Sequence, residues 1–379
     1  MTIELSLERV AHGGYVVGRH EGKVIFVTGG LPGERVIAEV TERGRSFDRG
    51  HVVDVLEPSV GRVEPPCPIA GQCGGCDWQH ADQATQLGLK TAVVAEQLQR
   101  LAGIEWDGSV EAVPGGLTDW RTRVRYAVTD DGRVGFRARR SHEVVPLPPQ
   151  GCLIAADGPS VEELDGYANL GEDVRVTVAD GSVTVLAGRM VVGPDPVFQR
   201  VGGRRYAVTA DGFWQVHPEA AETLSRAVLD GLRPQRDERA LDLYCGVGLF
   251  AGALVDAGCV VVGAEMGRAA VELARRNVRE ARFVTGPIER AQRDLPDWAD
   301  LVVLDPPRKG AGASVVRAIA EREPRAIAYV ACDPAALARD LATFAREGYS
   351  PVSIRAFDLF PMTHHVECVA ILHPDHGRA

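Results

Sequence analysis

The stretch Ala328-Tyr329-Val330-Ala331-Cys332-Asp333-Pro334-Ala335-Ala336-Leu337-Ala338-Arg339-Asp340 reads as a buried strand that stops at a cysteine and turns straight into a helix. Asp333 is a good helix N-cap, and Pro334 suits the first helical position. Cys332 therefore stands at a strand-to-helix junction, where the positive end of the helix favours a thiolate. A free cysteine is also a common small core residue. What separates the two readings is what else falls on the same rim of the sheet.

Around this junction, strands and helices alternate over residues 216–379. The pattern predicts strands at 239–244, 259–265, 282–285, 300–305, 326–331, 352–357 and 366–372, with amphipathic helices such as 269–280 and 335–346 in most of the gaps. This is the pattern of an α/β domain with a mostly parallel sheet covered on both faces. Its first strand ends in Asp242-Leu243-Tyr244-Cys245-Gly246-Val247-Gly248, a glycine pair that lets backbone approach a ligand. The second strand ends in Glu265, a carboxylate placed for the ribose hydroxyls of an adenosine group, and the fourth ends in Asp305-Pro306-Pro307-Arg308. Together these favour S-adenosylmethionine over a dinucleotide. Gly246, Glu265, Asp305 and Cys332 all fall at carboxyl ends of parallel strands, the rim where such sheets bind ligands. If the last strand runs antiparallel, as in the usual methyltransferase sheet that this pattern resembles, its beginning reaches that rim. It starts His364-His365-Val366-Glu367, which brings Glu367 beside Cys332, a base beside a nucleophile.

The first 60 residues hold five short β-rich runs split by glycine turns, which suits a small OB-like barrel. Arg19, His20, Lys23, Arg43, Arg45 and Arg49 could give it an RNA-binding face, or could be solvated charges. Next, Cys67, Cys73 and Cys76 lie five and then two residues apart with glycines between, a density that suits zinc or an iron–sulfur cluster. Cys152, in a loop flanked by proline and glycine, is the better fourth ligand and His80 the weaker one. Cys245, Cys259 and Cys368 lie in apolar surroundings and read as core. A central region over 61–215 begins with a helix at 81–102 and continues in strands. In it, Arg121-Thr122-Arg123-Val124-Arg125-Tyr126 sends three arginines to one strand face, either solvated or a phosphate track.

At 379 residues the chain is long enough for two or three domains, read here as 1–60, 61–215 and 216–379. No apolar run is long enough to span a bilayer and no signal-peptide pattern opens the chain, so a cytoplasmic protein with no membrane partner is expected. Disulfides are then not expected, and the eight cysteines call for metal, catalysis or burial. A net charge of −10 argues mildly against nucleic acid, but the arginines clustered between Arg121 and Arg140 offer a local basic track.

Two resemblances sharpen these readings. Gly18-Arg19-His20-Glu21-Gly22-Lys23-Val24-Ile25-Phe26-Val27, followed by Leu31-Pro32-Gly33-Glu34, resembles the TRAM domain of RNA-modifying enzymes. Over nearly its full length the chain resembles the TrmA/RumA-type RNA 5-methyluridine methyltransferases, most of all the RumA branch, which carries both a TRAM barrel and a cysteine cluster. The motifs that carry this are Cys67-x5-Cys73-x2-Cys76, Phe213-Trp214-Gln215-Val216, Asp242 to Gly248, Asp305-Pro306-Pro307-Arg308, Cys332-Asp333-Pro334 and Phe360 to Glu367.

The resemblance implies a Rossmann-like class I methyltransferase domain with a seven-stranded sheet. It also implies a covalent mechanism, in which Cys332 adds to uracil C6, C5 takes the methyl of S-adenosylmethionine, and Glu367 removes the C5 proton. It assigns Gln215, Tyr244, Glu265 and Asp305 to the cofactor, and the cysteines Cys67, Cys73, Cys76 and Cys152 to a 4Fe-4S cluster, with zinc the weaker alternative. Ribosomal RNA is the expected substrate and the T-loop of tRNA the alternative; a monomer is expected. An RNA-binding protein with a degenerate catalytic domain, or an amino-directed methyltransferase using Asp305-Pro306-Pro307, are the competing classes. The chain departs from the family's Cys-Asn-Pro, Gln-Val-Asn and His-Thr-Gly-His at Asp333, His217, Met362 and His364.

Overall fold

The computed structural model describes residues 1–171 and 173–375. Five strands open the chain: β1 (Thr2–Ala11), β2 (Tyr15–His20), β3 (Lys23–Thr28), β4 (Arg35–Arg43) and β5 (Phe47–Glu57). They close into a barrel in the order β1-β2-β3-β5-β4, which removes free edges. Alternation along β1 turns Ile3, Leu5 and Leu7 inward to meet Val16, Ile25, Val27 and Val36. The buried carboxylate of Glu34 takes Arg62 Nε at 2.6 Å and the backbone N–H of Leu31 and Ser59, pinning the barrel to the segment that follows.

Helix α1 (Gln83–Ala102) starts at Asp82, whose side chain accepts from the N–H of Thr85, and stops at Gly103 in the left-handed region. The short strand β6 (Val110–Ala112) comes next. Strands β7 (Arg123–Val128), β8 (Val134–Arg137) and β9 (Val144–Pro146) precede helix α2 (Val161–Tyr167), and β10 (Asp173–Ala179), β11 (Ser182–Ala187) and β12 (Met190–Val192) follow it. These six strands form one sheet in the order β12-β11-β10-β7-β8-β9, packed around Val124, Tyr126, Val134, Val174 and Leu164 of α2. A separate hairpin is made by β13 (Val197–Val201) and β14 (Arg204–Val208).

The remaining chain alternates as expected: α3 (Ala220–Leu232), β15 (Arg239–Leu243), α4 (Leu249–Asp256), β16 (Val260–Glu265), α5 (Arg268–Asn277), β17 (Arg282–Thr285), α6 (Ile288–Ala291), β18 (Leu301–Leu304), α7 (Ala313–Ala320), β19 (Ala326–Ala331), α8 (Pro334–Arg346), β20 (Tyr349–Asp358) and β21 (Glu367–Pro374). The sheet order is β17-β16-β15-β18-β19-β21-β20-β6. The sheet thus has eight strands, the expected seven plus β6, which pairs in parallel with the outer strand β20. The five strands from β17 to β19 are parallel, and β21 runs antiparallel to both its neighbours. All six residues of β19 are buried, because helices cover both faces of the sheet. One face packs on α3, α4, α5 and the β13–β14 hairpin; the other packs on α6, α7, α8 and α1.

The packing cuts across the division expected at residues 61 and 216. Val94 and Leu98 of α1 bury in the core of the C-terminal sheet, as do Val197, Val201, Tyr206 and Val208 of the hairpin. The reason is apolar area: α1 has a stripe with no partner in the small central sheet, and α8 offers one. Among the described residues, no helix is long and apolar enough to cross a membrane.

One polar contact fixes α1 to the sheet. Lys90, in the apolar stripe one turn before Val94, donates through Nζ to Asp358 Oδ1 at 2.5 Å and to the Phe360 carbonyl at 3.0 Å. Both side chains are fully buried, at the point where β20 ends and the loop to β21 begins. Lys90→Met leaves the Asp358 carboxylate buried without its cation, and is expected to cost about 3–5 kcal/mol of unfolding free energy. Adding Asp358→Leu should recover most of that loss; urea unfolding of the single and double variants checks both.

Candidate active site at the sheet rim

Three strand ends form the first half of the site. Past β15 the chain turns through Tyr244, a non-glycine residue held at φ 62, and Gly246 at φ 53. The Glu265 carboxylate at the end of β16 accepts from Gly246 N at 3.3 Å and Gly267 N at 2.7 Å, and keeps lone pairs free for a further donor. Asp305, one step past β18, is tied back by its N–H to the Leu243 carbonyl at 3.3 Å. Beyond it the loop reaches Gly310, at φ +88, where an added Cβ would stand 2.6 Å from Asp340 Oδ2. Buried Asp340 also takes the Tyr329 hydroxyl at 2.6 Å and Ala311 N at 2.7 Å, which fixes the turn carrying Arg308. Gln215 lies buried in the segment between β14 and α3.

The second half is set by a strand reversal. The β19–β21 ladder ends with Ala331 facing Cys368 in antiparallel register, which brings the residue after one, Cys332, and the residue before the other, Glu367, to the same rim. Burial first, then the charges of Glu367 and Asp305, push the Cys332 thiol up to about 12, while Arg308 pulls it down. The expectation of a thiolate stabilised by the helix end is therefore corrected for the protein without ligands. The Asp333 carboxylate itself occupies that helix end, accepting from Ala336 N at 2.7 Å. Burial raises Asp305 to about 7. Burial and then the charge of Asp305 raise Glu367 well above the usual carboxylate range, against the pull of Arg308.

The loop from β20 to β21, which delivers Glu367, is held from several sides. Met362 N donates to Gln86 Oε1 of α1 at 2.8 Å, and its carbonyl accepts from Asp77 N and Trp78 N at 2.9 and 3.0 Å. His364 donates its backbone N–H and its Nδ1 to Asp77 Oδ2, at 2.9 and 2.5 Å. Burial works against ionisation of Asp77, but the His364 contact and Arg139 hold its carboxyl down at about 2. The sequence reading passed over Asp77, Gln86 and Lys90. A lysine inside an apolar helical stripe was the one available signal; nothing local marks the other two.

Cys67, Cys73, Cys76 and Cys152 come together as the wall of one cavity of about 260 Å³. Burial, reinforced by the other thiols, raises Cys73, Cys152 and Cys76, the last to about 12. Among the described residues no group of three or more His, Cys, Asp or Glu side chains is gathered closely enough to hold a single metal ion. His80 also lines the cavity, but its Nε2 lies 3.3 Å from the Gly30 carbonyl. Cys245, Cys259 and Cys368 are buried in the sheet cores.

A larger cleft, of about 860 Å³, runs from the central sheet to the rim. Arg121, Arg125, Arg137, Arg139, Arg140 and Arg308 line it with Trp120, Phe360, His364 and His365. Arg123, expected on the same track, is used elsewhere: its Nη1 donates to the carbonyls of Ala210 and Gly212 at 3.0 and 2.8 Å inside the protein. On the barrel, Arg19, Lys23 and Arg49 pair with Glu8, Asp48 and Glu42.

With this geometry in hand, comparison with known proteins is decisive. Residues 289–374 match the family model described as tRNA (Uracil-5-)-methyltransferase, and residues 1–53, most of the barrel, match the TRAM domain. The chain is similar to an uncharacterized RNA methyltransferase of Streptomyces avermitilis, 46% identical over 98% of each chain. It is also similar to one of Corynebacterium diphtheriae, 35% identical over 98% of this chain and 96% of the other. The chain belongs to the RNA (uracil-5-)-methyltransferase family. A solved relative, the Pyrococcus abyssi tRNA (uracil-54, C5)-methyltransferase in complex with S-adenosyl-L-homocysteine, is 25% identical with a TM-score of 0.77 over 97% of this chain and 99% of that one. The protein is thus an S-adenosylmethionine-dependent RNA methyltransferase with a class I methyltransferase fold and an N-terminal TRAM barrel.

Three of the four departures of this methyltransferase from its family motifs are polar side chains, and each of these meets a partner. Asp333 Oδ2 lies 3.1 Å from His12 Nε2 on the turn between β1 and β2. His217 stacks on Trp120 with ring centroids 6.0 Å apart and accepts Glu219 N through Nδ1 at 3.2 Å. His364 has Asp77.

The buried acids make the ligand-free enzyme sensitive to pH. Asp305 and Asp242, raised by burial to about 7 and about 8, are most stably buried as neutral acids. The stability they contribute is full below the ordinary carboxylate range and is lost as pH rises through those raised values. The melting temperature of ligand-free protein is expected to fall between about pH 5 and about pH 8, and Asp305→Asn to remove part of the fall. Thermal scans across that range check it; a melting temperature that climbs instead would contradict the assigned protonation.

Proposed function

We propose that this enzyme methylates C5 of a uridine in structured RNA through a covalent bond between Cys332 and uracil C6, with Glu367 as the base. The observation that best supports this is the strand register that brings Cys332 and Glu367 to one rim, where the charges of Asp305 and Arg308 act on both. Bound S-adenosylmethionine supplies an electrophilic methyl group and a positive charge. Gln215, Tyr244, Glu265 and Asp305 hold it, with Met266, exposed beside Glu265, offering an apolar face to the adenine.

The chain's own groups then act in order. The target base leaves its stack to reach the rim, while the cleft arginines hold the flanking phosphates. With the positive charge of the bound cofactor beside it, the Asp305–Glu367 pair would give up a proton to solvent and then take that of Cys332 as its sulfur adds to C6; the displaced electrons move to O4, giving C5 carbanion character. Arg308 offsets the negative charge near the sulfur. Once C5 carries the methyl group, Glu367, its own proton lost to solvent through the cleft, takes the C5 proton. The C5–C6 double bond re-forms, the S–C6 bond breaks, the sulfur takes a proton back, and one proton net has been released.

The four cysteines, Cys67, Cys73, Cys76 and Cys152, hold a 4Fe-4S cluster in this reading. The four thiols brought round one cavity support a bound cluster, with zinc the weaker alternative. The RNA is read as large-subunit ribosomal RNA. The T-loop of tRNA is the second reading, favoured by the name of the Pyrococcus abyssi relative. Mapping 5-methyluridine in total RNA with and without the gene separates them.

Cys332→Ala is expected to abolish methyl transfer and the covalent complex with 5-fluorouridine RNA. Glu367→Gln should accumulate a methylated covalent adduct on ordinary uridine RNA, visible as a band that survives denaturing electrophoresis. Unaltered turnover by Cys332→Ala would sink the covalent route. Anaerobically purified protein is expected to carry iron and acid-labile sulfide, and Cys152→Ser to lose both.

A further inference from the structure

His364 has no counterpart in the motif that the chain otherwise follows, where a glycine stands. The structure gives it a set of contacts that no other part of the loop has. Its Nδ1 meets Asp77 Oδ2 at 2.5 Å, and Asp77 comes from the segment immediately after Cys76. The other oxygen of Asp77 pairs with the guanidinium of Arg139, which also donates to the Gly13 carbonyl of the barrel at 2.7 Å. The barrel turn closes on the pair so tightly that a Cβ on Gly14 would stand 3.1 Å from His364 Cβ and 3.2 Å from Asp77 Cγ.

On its far side the His364 ring lies against His365, with centroids 4.1 Å apart and the ring planes tilted by 40°. His365 Nε2 lies 3.4 Å from a terminal nitrogen of Arg308. A guanidinium can only donate, so this nitrogen accepts and His365 carries its proton on Nδ1. Arg308 is the one positive group whose charge acts on both Cys332 and Glu367. A continuous line of contacts, Arg139–Asp77–His364–His365–Arg308, therefore runs from the cysteine-bearing segment to the reacting pair.

We propose that Asp77 and His364 are positioning residues that act through His365 to seat the Arg308 guanidinium against Cys332 and Glu367. The proposal rests on the reading of Cys332 as the reacting thiol. It explains why this chain carries a histidine where a glycine would fill the loop: the histidine brings a charge-assisted bond that a glycine cannot make. It also gives the segment around Cys76 a direct hold on the geometry of the rim.

The test uses the full-length protein purified with its iron, as wild type, Asp77→Asn, His364→Gly and the double variant, with Arg308→Gln as the reference for a lost guanidinium. Two quantities are measured: the rate at which iodoacetamide alkylates Cys332, followed by peptide mass spectrometry, and kcat with KM for S-adenosylmethionine. Each single variant is expected to slow alkylation and lower kcat by about tenfold, the scale of one charge-assisted hydrogen bond. KM for S-adenosylmethionine should stay unchanged, and the double variant should be no slower than the slower single one. Single variants that alkylate at the wild-type rate, or losses that multiply in the double variant, overturn the proposal. If Asp77→Asn loses iron, His364→Gly decides by itself. A wild-type protein that methylates no RNA would overturn the functional reading instead, and the alkylation rates would still decide the role of the pair.

Discussion

The site depends on one strand running the wrong way. Parallel strands deliver their carboxyl ends to a common rim, and β15, β16, β18 and β19 do so here. Such a rim can collect a glycine turn, two acids and a thiol, but each arrives at the end of its own strand, roughly 5 Å from the next. Reversing β21 lets the first residue of a strand arrive there too, together with the thiol that follows the neighbouring strand. The pairing of β19 with β21 is thus both core sheet and active-site geometry. A slip of one residue would turn Glu367 to the opposite face of the sheet.

That arrangement concentrates ionisable groups where water is scarce. Asp305 and Glu367 are both buried, which makes each harder to ionise, and the charge of Asp305 adds to the effect on Glu367. The thiol at the same rim is harder to ionise for the same reason. A ligand that brought positive charge to this rim would act on all three groups in the same direction, favouring their ionised forms.

Strain and charge at the rim are held by parts of the chain that come from elsewhere. The loop carrying Glu367 takes hydrogen bonds from α1, from the cysteine-bearing segment and from its own ends. The Asp305 loop is fixed by Asp340 of α8. The barrel reaches the rim at two points, His12 on Asp333 and Gly13 on Arg139. The N-terminal barrel meets the rest of the chain at the rim as well as along α1, where Val10 and Leu31 pack with Leu89 and Val93, and the basic cleft opens between the central sheet and the rim.

What the sequence determined by itself was whatever short-range pattern encodes. The alternation in β1, the unbroken apolar run of β19, the glycine turn after β15 and the cap at Asp333 each follow from local stereochemistry, and each stands where it was read. From them came the barrel, the doubly wound sheet and the shared rim. Tertiary structure decided the rest. Periodicity sent Arg121, Arg123 and Arg125 to one face but could not say that Arg123 would turn inward to backbone carbonyls. The helix end predicted a thiolate, but the carboxylates that oppose it converge only after folding. Asp77 and His364 lie 287 residues apart, and Lys90 and Asp358 lie 268 apart. No local preference couples such residues. Their bonds exist because burying the faces of α1 and of the cysteine segment against the sheet takes those polar groups out of water and leaves them to be satisfied inside the protein.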